Sequence, residues 1–278
     1  MRVHHLNCGT MRPPGGRLID GAPGVFRRAT MVCHCLLLET DTGLVLVETG
    51  TGTPAAENPS AWLGAKFVKL VGAVPDPKLT AVHQIRELGF DPADVRDVVL
   101  THLDLDHAGG LVDFPHARVH VYAEELRALR TPRDRRERNR YRRVQFAHGP
   151  QWKSYADSGE AWFGFDAVRQ LDGLPPEILL IPLAGHTRGH AGVAVDTGHG
   201  WLLNAGDSYF FPGELEPEPY CPPGLALFEG FMQTVKGPRL DNQRRLRQLV
   251  REHGDEVTVF SAHNAVEFDR LSARSRTT

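Results

Sequence analysis

The order of patterns along this chain predicts an α+β fold in which two β-rich layers are covered on the outside by helices. Three observations carry that prediction. Short β-branched runs come in a group, helical patterns follow them, and a second group of strands returns before a further helix and a last strand. The length of 278 residues and the 41% hydrophobic content suit a sizeable core, so residues 1–278 are expected to form a single domain.

Taken in order, Val3 to Leu6, Val32 to Glu39 and Leu44 to Glu48 read as strands, the last two joined by a Thr40-Asp41-Thr42-Gly43 turn. Glu48-Thr49-Gly50-Thr51-Gly52 breaks the pattern with glycine. Ala61 to Val71 and Thr80 to Leu88 carry helical patterns, and Asp91-Pro92 opens a short turn of helix with Asp as cap and Pro at the first position. Val95 to Leu100 and Val119 to Val121 are strands, and Glu124 to Arg130 is a helix interrupted at Pro132. Residues 131–176 read as a polar and aromatic insertion carrying Trp152, Tyr155, Trp162, Phe163 and Phe165, which could wall an apolar site. Ile178 to Ile181, Val193 to Val195 and Trp201 to Leu203 are short strands, Pro212 to Pro223 a surface loop, Leu240 to Arg251 an amphipathic helix, and Val257 to Phe260 the last strand.

Composition narrows the functional classes. No apolar run approaches the roughly 18 residues that span a bilayer, and MRVHHLNCGT lacks a charged-then-apolar signal layout. A cytoplasmic protein without membrane association is therefore expected. Cys8, Cys33, Cys35 and Cys221 are too few for a disulfide scaffold, and Cys33 and Cys35, alternate positions of a strand, read as buried free thiols. The formal net charge of −2 conceals nine arginines between Arg127 and Arg143 against Asp134 and Glu137. That stretch reads first as a solvated helix face and second as a basic rim for an anionic substrate. Without interleaved aromatics, nucleic acid is not the expected partner.

The chemistry concentrates in THLDLDHAGG, residues 101–110, where His102, Asp104, Asp106 and His107 follow a strand directly. In a helix His102 and His107 would diverge, and in a straight strand His102, Asp104 and Asp106 would stand about 7 Å apart. A tight loop, which Gly109-Gly110 permits, can instead direct one pair to one metal and the other pair to a second about 3.5 to 4 Å away. Three further stretches bring ligand types to strand ends: GHTRGH with His186 and His190, AGDSYF with Asp207, and SAHN with His263. Strand ends converging on one edge are where sites form in layered folds.

These four stretches, THLDLDH, GHTRGH, AGDSYF and SAHN, resemble the metallo-β-lactamase superfamily in order and over most of the chain. The resemblance implies a four-layer αββα sandwich with the site at one sheet edge. It also implies two divalent metal ions, with zinc, manganese and iron all open. His102, Asp104 and His186 would hold the first, Asp106, His107 and His263 the second, and Asp207 would bridge them, with His190 behind the ligands. The chain departs from the family at Asp104, where a second His is usual, at Arg188 in place of Pro, and at Glu48 in place of Asp in the early Thr-Gly loop. Flavodiiron proteins carry an acid at the position of Asp104, together with a flavodoxin domain for which this chain has no room.

The extra carboxylate of Asp104 lowers the charge of the centre. Two divalent ions against Asp104, Asp106 and Asp207 leave one positive charge, which a bridging hydroxide cancels, so a weaker Lewis acid and a shift toward harder metals are expected. The leading reaction is attack of a metal-bound hydroxide on a lactone, ester or thioester carbonyl, with Asp106 orienting the nucleophile or accepting its proton. The layout is similar to N-acyl-homoserine lactonases, in which a tyrosine near the bridging Asp assists. Tyr209 is the candidate here. The expected partner is a small, anionic or acyl substrate, and Arg188 would contact its anionic group or else a neighbouring acid. Alternatives are a non-haem iron enzyme that uses oxygen and, behind it, a phosphodiesterase.

Overall fold

The computed structural model of the chain describes residues 1–156 and 158–275. Along the first half run β1 (Arg2–Met11), α1 (Arg17–Asp20), β2 (Met31–Thr40), β3 (Gly43–Val47), α2 (Thr53–Glu57), α3 (Ala65–Val71), β4 (Ala73–Val74), α4 (Ala81–Glu87), β5 (Val95–Val99), β6 (Arg118–Tyr122), α5 (Ala123–Arg130) and α6 (Arg135–Arg140). The second half adds β7 (Gln151–Tyr155), β8 (Glu160–Trp162), β9 (Phe165–Gln170), β10 (Ile178–Pro182), β11 (Ala191–Asp196), β12 (Trp201–Asn204), α7 (Pro223–Met232), α8 (Lys236–His253), β13 (Val257–Phe260) and α9 (Ala265–Ser275).

The strands make two mixed sheets, one ordered β4-β1-β2-β3-β5-β6-β7 and the other β13-β12-β11-β10-β9-β8. The run CLLL in β2 explains why: its residues alternate between two apolar environments. Cys35 and Leu37 face Ala81 and Ile85 of α4 and Leu126 and Ala128 of α5, while Leu36 and Leu38 face Ile178, Leu180, Val193 and Phe260 of the opposite sheet. In β10, Ile178 and Leu180 face inward, and Leu179 and Ile181 pack on Leu246 and Leu249 of α8. Helix, sheet, sheet and helix therefore stack in four layers, the αββα sandwich. A strand covered on both faces must be apolar at nearly every position, and a register slip of one residue would exchange its two cores.

Thr80 accepts the backbone N–H of His83 and so starts α4, and Asp91 caps its short turn by accepting from Ala93. The 131–176 stretch differs from the expected insertion. Its β7 pairs in parallel with β6 at the edge of the first sheet, and β8 and β9 extend the second. Its aromatic residues do not wall the site: Trp152 packs beside Phe146, Tyr155 sits in the inter-sheet core, and Trp162 packs with Phe163 and Trp201. The presumed loop before Pro223 contains a buried turn at Pro212–Leu215, and α7 beyond it, with Pro223 at its start, was hidden by its flanking prolines and by Gly224 and Gly230. No helix among the described residues is long and apolar enough to cross a membrane.

The parallel edge of the first sheet is held by a buried polar network. Arg118 of β6 donates from Nε and Nη2 to the two oxygens of Asp97 in β5, at 2.7 and 2.8 Å, and His120 links Asp97 to the Tyr155 hydroxyl of β7. Burial pushes the Asp97 carboxyl up, but hydrogen bonds from His120 and Arg118 and their charges outweigh it and hold its pKa below the ordinary value. A depressed carboxyl stabilises the fold above its unfolded pKa, about 3.9, and that stability is lost as pH falls through the folded value. Asp97→Asn should therefore cost roughly 2–3 kcal/mol at neutral pH, with the gap to wild type closing in acid. Urea unfolding of both proteins at pH 7 and pH 3 measures this, and a pH-independent gap would contradict it.

Candidate metal centre

Leu100 follows β5, and Thr101 to Ala108 turn over the sheet edge. Gly109 and Gly110 lie so close to the Thr49–Thr51 loop that a Cβ on either would come within 2.6 Å of a Thr51 or Thr49 carbonyl oxygen. That approach lets Thr49 N–H and Oγ1 both donate to the His107 carbonyl, at 2.9 and 2.7 Å, and locks the metal-ligand loop against the loop after β3. Glu125 of α5 ties two of the motifs together, accepting from the Leu103 N–H with one oxygen and from the Thr187 hydroxyl with the other.

Asp207 stands at the centre. Its Oδ2 is 3.2 Å from His186 Nε2 and 3.8 Å from His102 Nε2, and its Oδ1 is 3.4 Å from His107 Nε2 and 3.2 Å from His263 Nε2. One carboxylate thus presents each oxygen to a different pair of imidazoles, and the two resulting groups, His102/His186/Asp207 and His107/Asp207/His263, are each compact enough to hold an ion. Asp106 completes the second group, with Oδ2 3.6 Å from His263 Nε2 and Oδ1 4.0 Å from His107 Nε2. Asp104 lies by the first, with Oδ2 3.1 Å from His186 Nε2 and 3.4 Å from His102 Nε2. Cys33, read from sequence as a buried thiol, is indeed buried, yet it also groups with Asp106 and His263.

The donor chemistry fits cations. His107 Nδ1 lies 2.8 Å from Glu48 Oε2 and His263 Nδ1 lies 2.7 Å from the Val32 carbonyl, so these nitrogens donate and the Nε2 lone pairs turn inward. The two lone pairs then meet across 3.1 Å, an arrangement that needs a proton or a metal ion between them. His102 Nε2 and Asp207 Oδ1 are buried without a hydrogen-bond partner, and cations bound in the two groups would satisfy both. Burial pushes His107 and His263 down, but the Asp207 carboxylate, joined by Glu48 at His107, pulls both well above the usual imidazole range. His190 sits behind: its Nε2 accepts the Asp207 N–H at 2.9 Å, and burial holds it neutral with a pKa lowered to about 3.

Several sequence expectations are corrected here. Tyr209 is fully buried in the outer core and donates to Glu267 at 2.9 Å, so the structure does not bring it to the ligand groups. Of the two readings of Arg188 the structure shows the second, since it pairs with the neighbouring acids Glu137 and Glu124. The Arg-rich stretch is no uniform solvated face. Its Arg140, at the end of α6, donates from Nε and Nη2 to the two oxygens of Asp104 at 2.6 and 2.5 Å. The near-neutral centre derived from three carboxylates omitted this cation: with Arg140 counted, two divalent ions leave two positive charges, the sum for two carboxylates. Nothing in the spacing of the arginines distinguishes Arg140 from its eight neighbours, so its role was not legible.

Glu48 was visible only as a departure from the family's Asp. It adopts a left-handed φ of 64°, a strained backbone for a residue with a side chain. The strain aims its carboxylate at two targets, the Thr101 N–H at 2.6 Å and His107 Nδ1. Removing such an outer partner weakens metal binding by about 10–100-fold. Glu48→Ala should do so here in a competition titration against a chromophoric chelator, and an unchanged affinity would show that Glu48 does not orient His107.

A family model described as the metallo-beta-lactamase superfamily matches residues 29–263. A Mycobacterium tuberculosis protein named as a probable metallo-hydrolase is 40% identical over 268 residues, covering 95% of this chain and 80% of its own. A Bacillus N-acyl homoserine lactonase is 28% identical over 235 residues, covering 83% and 80%. Among solved structures, a mutant of the Bacillus thuringiensis lactonase AiiA with N-decanoyl-L-homoserine bound superposes with a TM-score of 0.71 at 20% identity, over 97% of this chain and 95% of that one. Set beside the four layers and the imidazole–carboxylate groups at their edge, these matches establish that the chain is a metal-dependent hydrolase belonging to the metallo-β-lactamase superfamily.

Proposed function

We propose that this chain hydrolyses lactones or related esters bearing an apolar acyl chain, with divalent cations in two ligand groups that share Asp207. His102, Asp104 and His186 would serve one ion, and Asp106, His107 and His263 the other. Bound there, the cations supply Lewis acidity toward a carbonyl oxygen and acidify a water. The observation that carries the reading is the cavity above Asp207. It has a volume of about 450 Å³, its floor is Asp104, Asp106, His186, Asp207 and His263, and its walls are apolar: Met11, Phe67 and Val71 on one side, Leu225, Phe228 and Phe231 of α7 on the other.

Each part of that cavity has a task. The walls exclude water and bind an acyl chain, at about 0.8 kcal/mol per buried methylene. Asp106, on the floor, orients the attacking water and takes its proton on a carboxylate oxygen. His190 fixes the bridging carboxylate through the Asp207 N–H. With Tyr209 committed to Glu267, the proton for the departing alkoxide returns from Asp106. None of the described residues lining the cavity is Lys or Arg, which disfavours a phosphodiester. The solved lactonases with N-decanoyl- and N-hexanoyl-L-homoserine bound carry ligands of the same form, an apolar chain on a polar head.

Leu227 and Phe231 are 77% and 71% exposed at the mouth, so charges there should leave the fold intact. Leu227→Asp and Phe231→Asp should lower kcat/KM for a decanoyl lactone about tenfold, the loss of roughly two methylenes of burial, while a butanoyl lactone is unaffected. If no lactone, ester or thioester is turned over by the fully metal-loaded protein, the reading is wrong; iron as purified, with consumption of oxygen, would point to the redox alternative instead.

A further inference from the structure

The two ion sites are not equivalent, and the difference lies in one side chain. Arg140 is nearly buried, and its Nη2 stands 2.5 Å from Asp104 Oδ2 and 2.6 Å from His186 Nε2. Those are two of the four donor groups gathered at the first site, beside His102 and Asp207. A guanidinium stays protonated at any pH a protein meets, so Arg140 occupies both lone pairs with N–H donors and brings a fixed positive charge. Around His107, Asp106 and His263 the neighbouring charged groups are the carboxylates of Asp207 and Glu48. That half holds no such cation among the described residues.

Arg140 also has somewhere to go. Its Nη1 already donates to the Met232 carbonyl at the end of α7, at 2.6 Å, with the Thr234 hydroxyl at 3.5 Å. Movement that frees Nη2 from Asp104 and His186 can therefore keep a buried guanidinium hydrogen-bonded at its outer end through Nη1. Because α7 forms one wall of the cavity, the side chain that yields the first site is anchored to the element that shapes the pocket.

We propose that Arg140 is a built-in cation guarding the first ion site, so that the two sites fill in sequence: the Asp106/His107/His263 site first, and the His102/Asp104/His186 site only as Arg140 withdraws Nη2. This rests on the two-ion reading above. It makes Arg140 a positioning residue for metal loading, acting through Asp104 and His186.

The test is metal binding itself. The full chain, stripped with a chelator, is titrated with Zn²⁺ against a chromophoric competitor, and ions per chain are counted by elemental analysis. Wild type should bind two ions, the second at least about tenfold more weakly, a gap of about 1.4 kcal/mol. Arg140→Gln should narrow that gap by tightening the weaker site alone, and Arg140→Lys, which keeps the charge without the fork, should fall between them. Circular dichroism and thermal melting verify that each variant is folded. Two equally tight ions in wild type would overturn the proposal even if Arg140→Gln does not fold. A weaker site unchanged or further weakened in a folded Arg140→Gln would overturn it too, since Arg140 would then only support Asp104 as a ligand. A chain that takes up no ion, or one alone even as Arg140→Gln, would instead remove the two-ion reading on which it stands.

Discussion

Buried negative charge must be balanced, and in this molecule that requirement organises everything at the sheet edge. Asp104, Asp106 and Asp207 lie within one buried cluster, where an unpaired carboxylate is costly to ionise. Asp207 is drawn well below the usual carboxylate range against its burial, by His263, His107 and His186. Asp104 is drawn down by Arg140 and then by His102 and His186, again against burial. Asp106 moves the other way, because burial and the neighbouring carboxylates of Asp207 and Asp104 outweigh the pull of His107 and His263. Two of the three acids are thus drawn down and the third pushed up, within a single cluster, by their surroundings.

The rest of the fold makes that cluster tolerable. Its imidazoles and carboxylates come from four loops, each leaving the end of a strand or of a strand pair whose register is fixed by apolar side chains on both faces. Behind them runs a second ring of partners, Glu48 on His107, Val32 on His263, and His190 on Asp207. Each directs a nitrogen or an oxygen inward. A close approach preserves one of them: a Cβ at Gly206 would stand 2.6 Å from His190 Nε2, so the turn before Asp207 can pass the imidazole only as glycine.

How much of this the sequence disclosed follows from how local each signal is. Strands such as Leu44 to Val47 and the ligand stretches at residues 101–110 and 186–190 are contiguous, and their periodicity or residue types show directly. The 131–176 stretch failed because its outer strands, β7 and β8, lie at sheet edges and are largely exposed, and such strands show no run of buried residues. Helix α7 failed for a different reason. It is apolar nearly all round because one side meets the protein and the other lines a cavity, so it has no polar face to reveal a period. Tyr209 was placed by its distance along the chain from Asp207, but direction decides function, and the chain turns that ring into the core toward Glu267.

Asp104 is the residue for which sequence and structure have to be read together. Alone, it looks like a ligand exchange that changes which metal is chosen. Paired with Arg140, it contributes no net charge, as a neutral imidazole in its place would contribute none. The pair differs from an imidazole in another respect: half of it is a cation on a long stem that can be in the site or out of it. A histidine offers one lone pair permanently, whereas a carboxylate with a guanidinium offers one conditionally. The Asp104–Arg140 pair therefore leaves the charge of the centre at that of two carboxylates and, on the proposal above, makes the occupancy of its first half conditional, with the control placed thirty-six residues away at the end of α6.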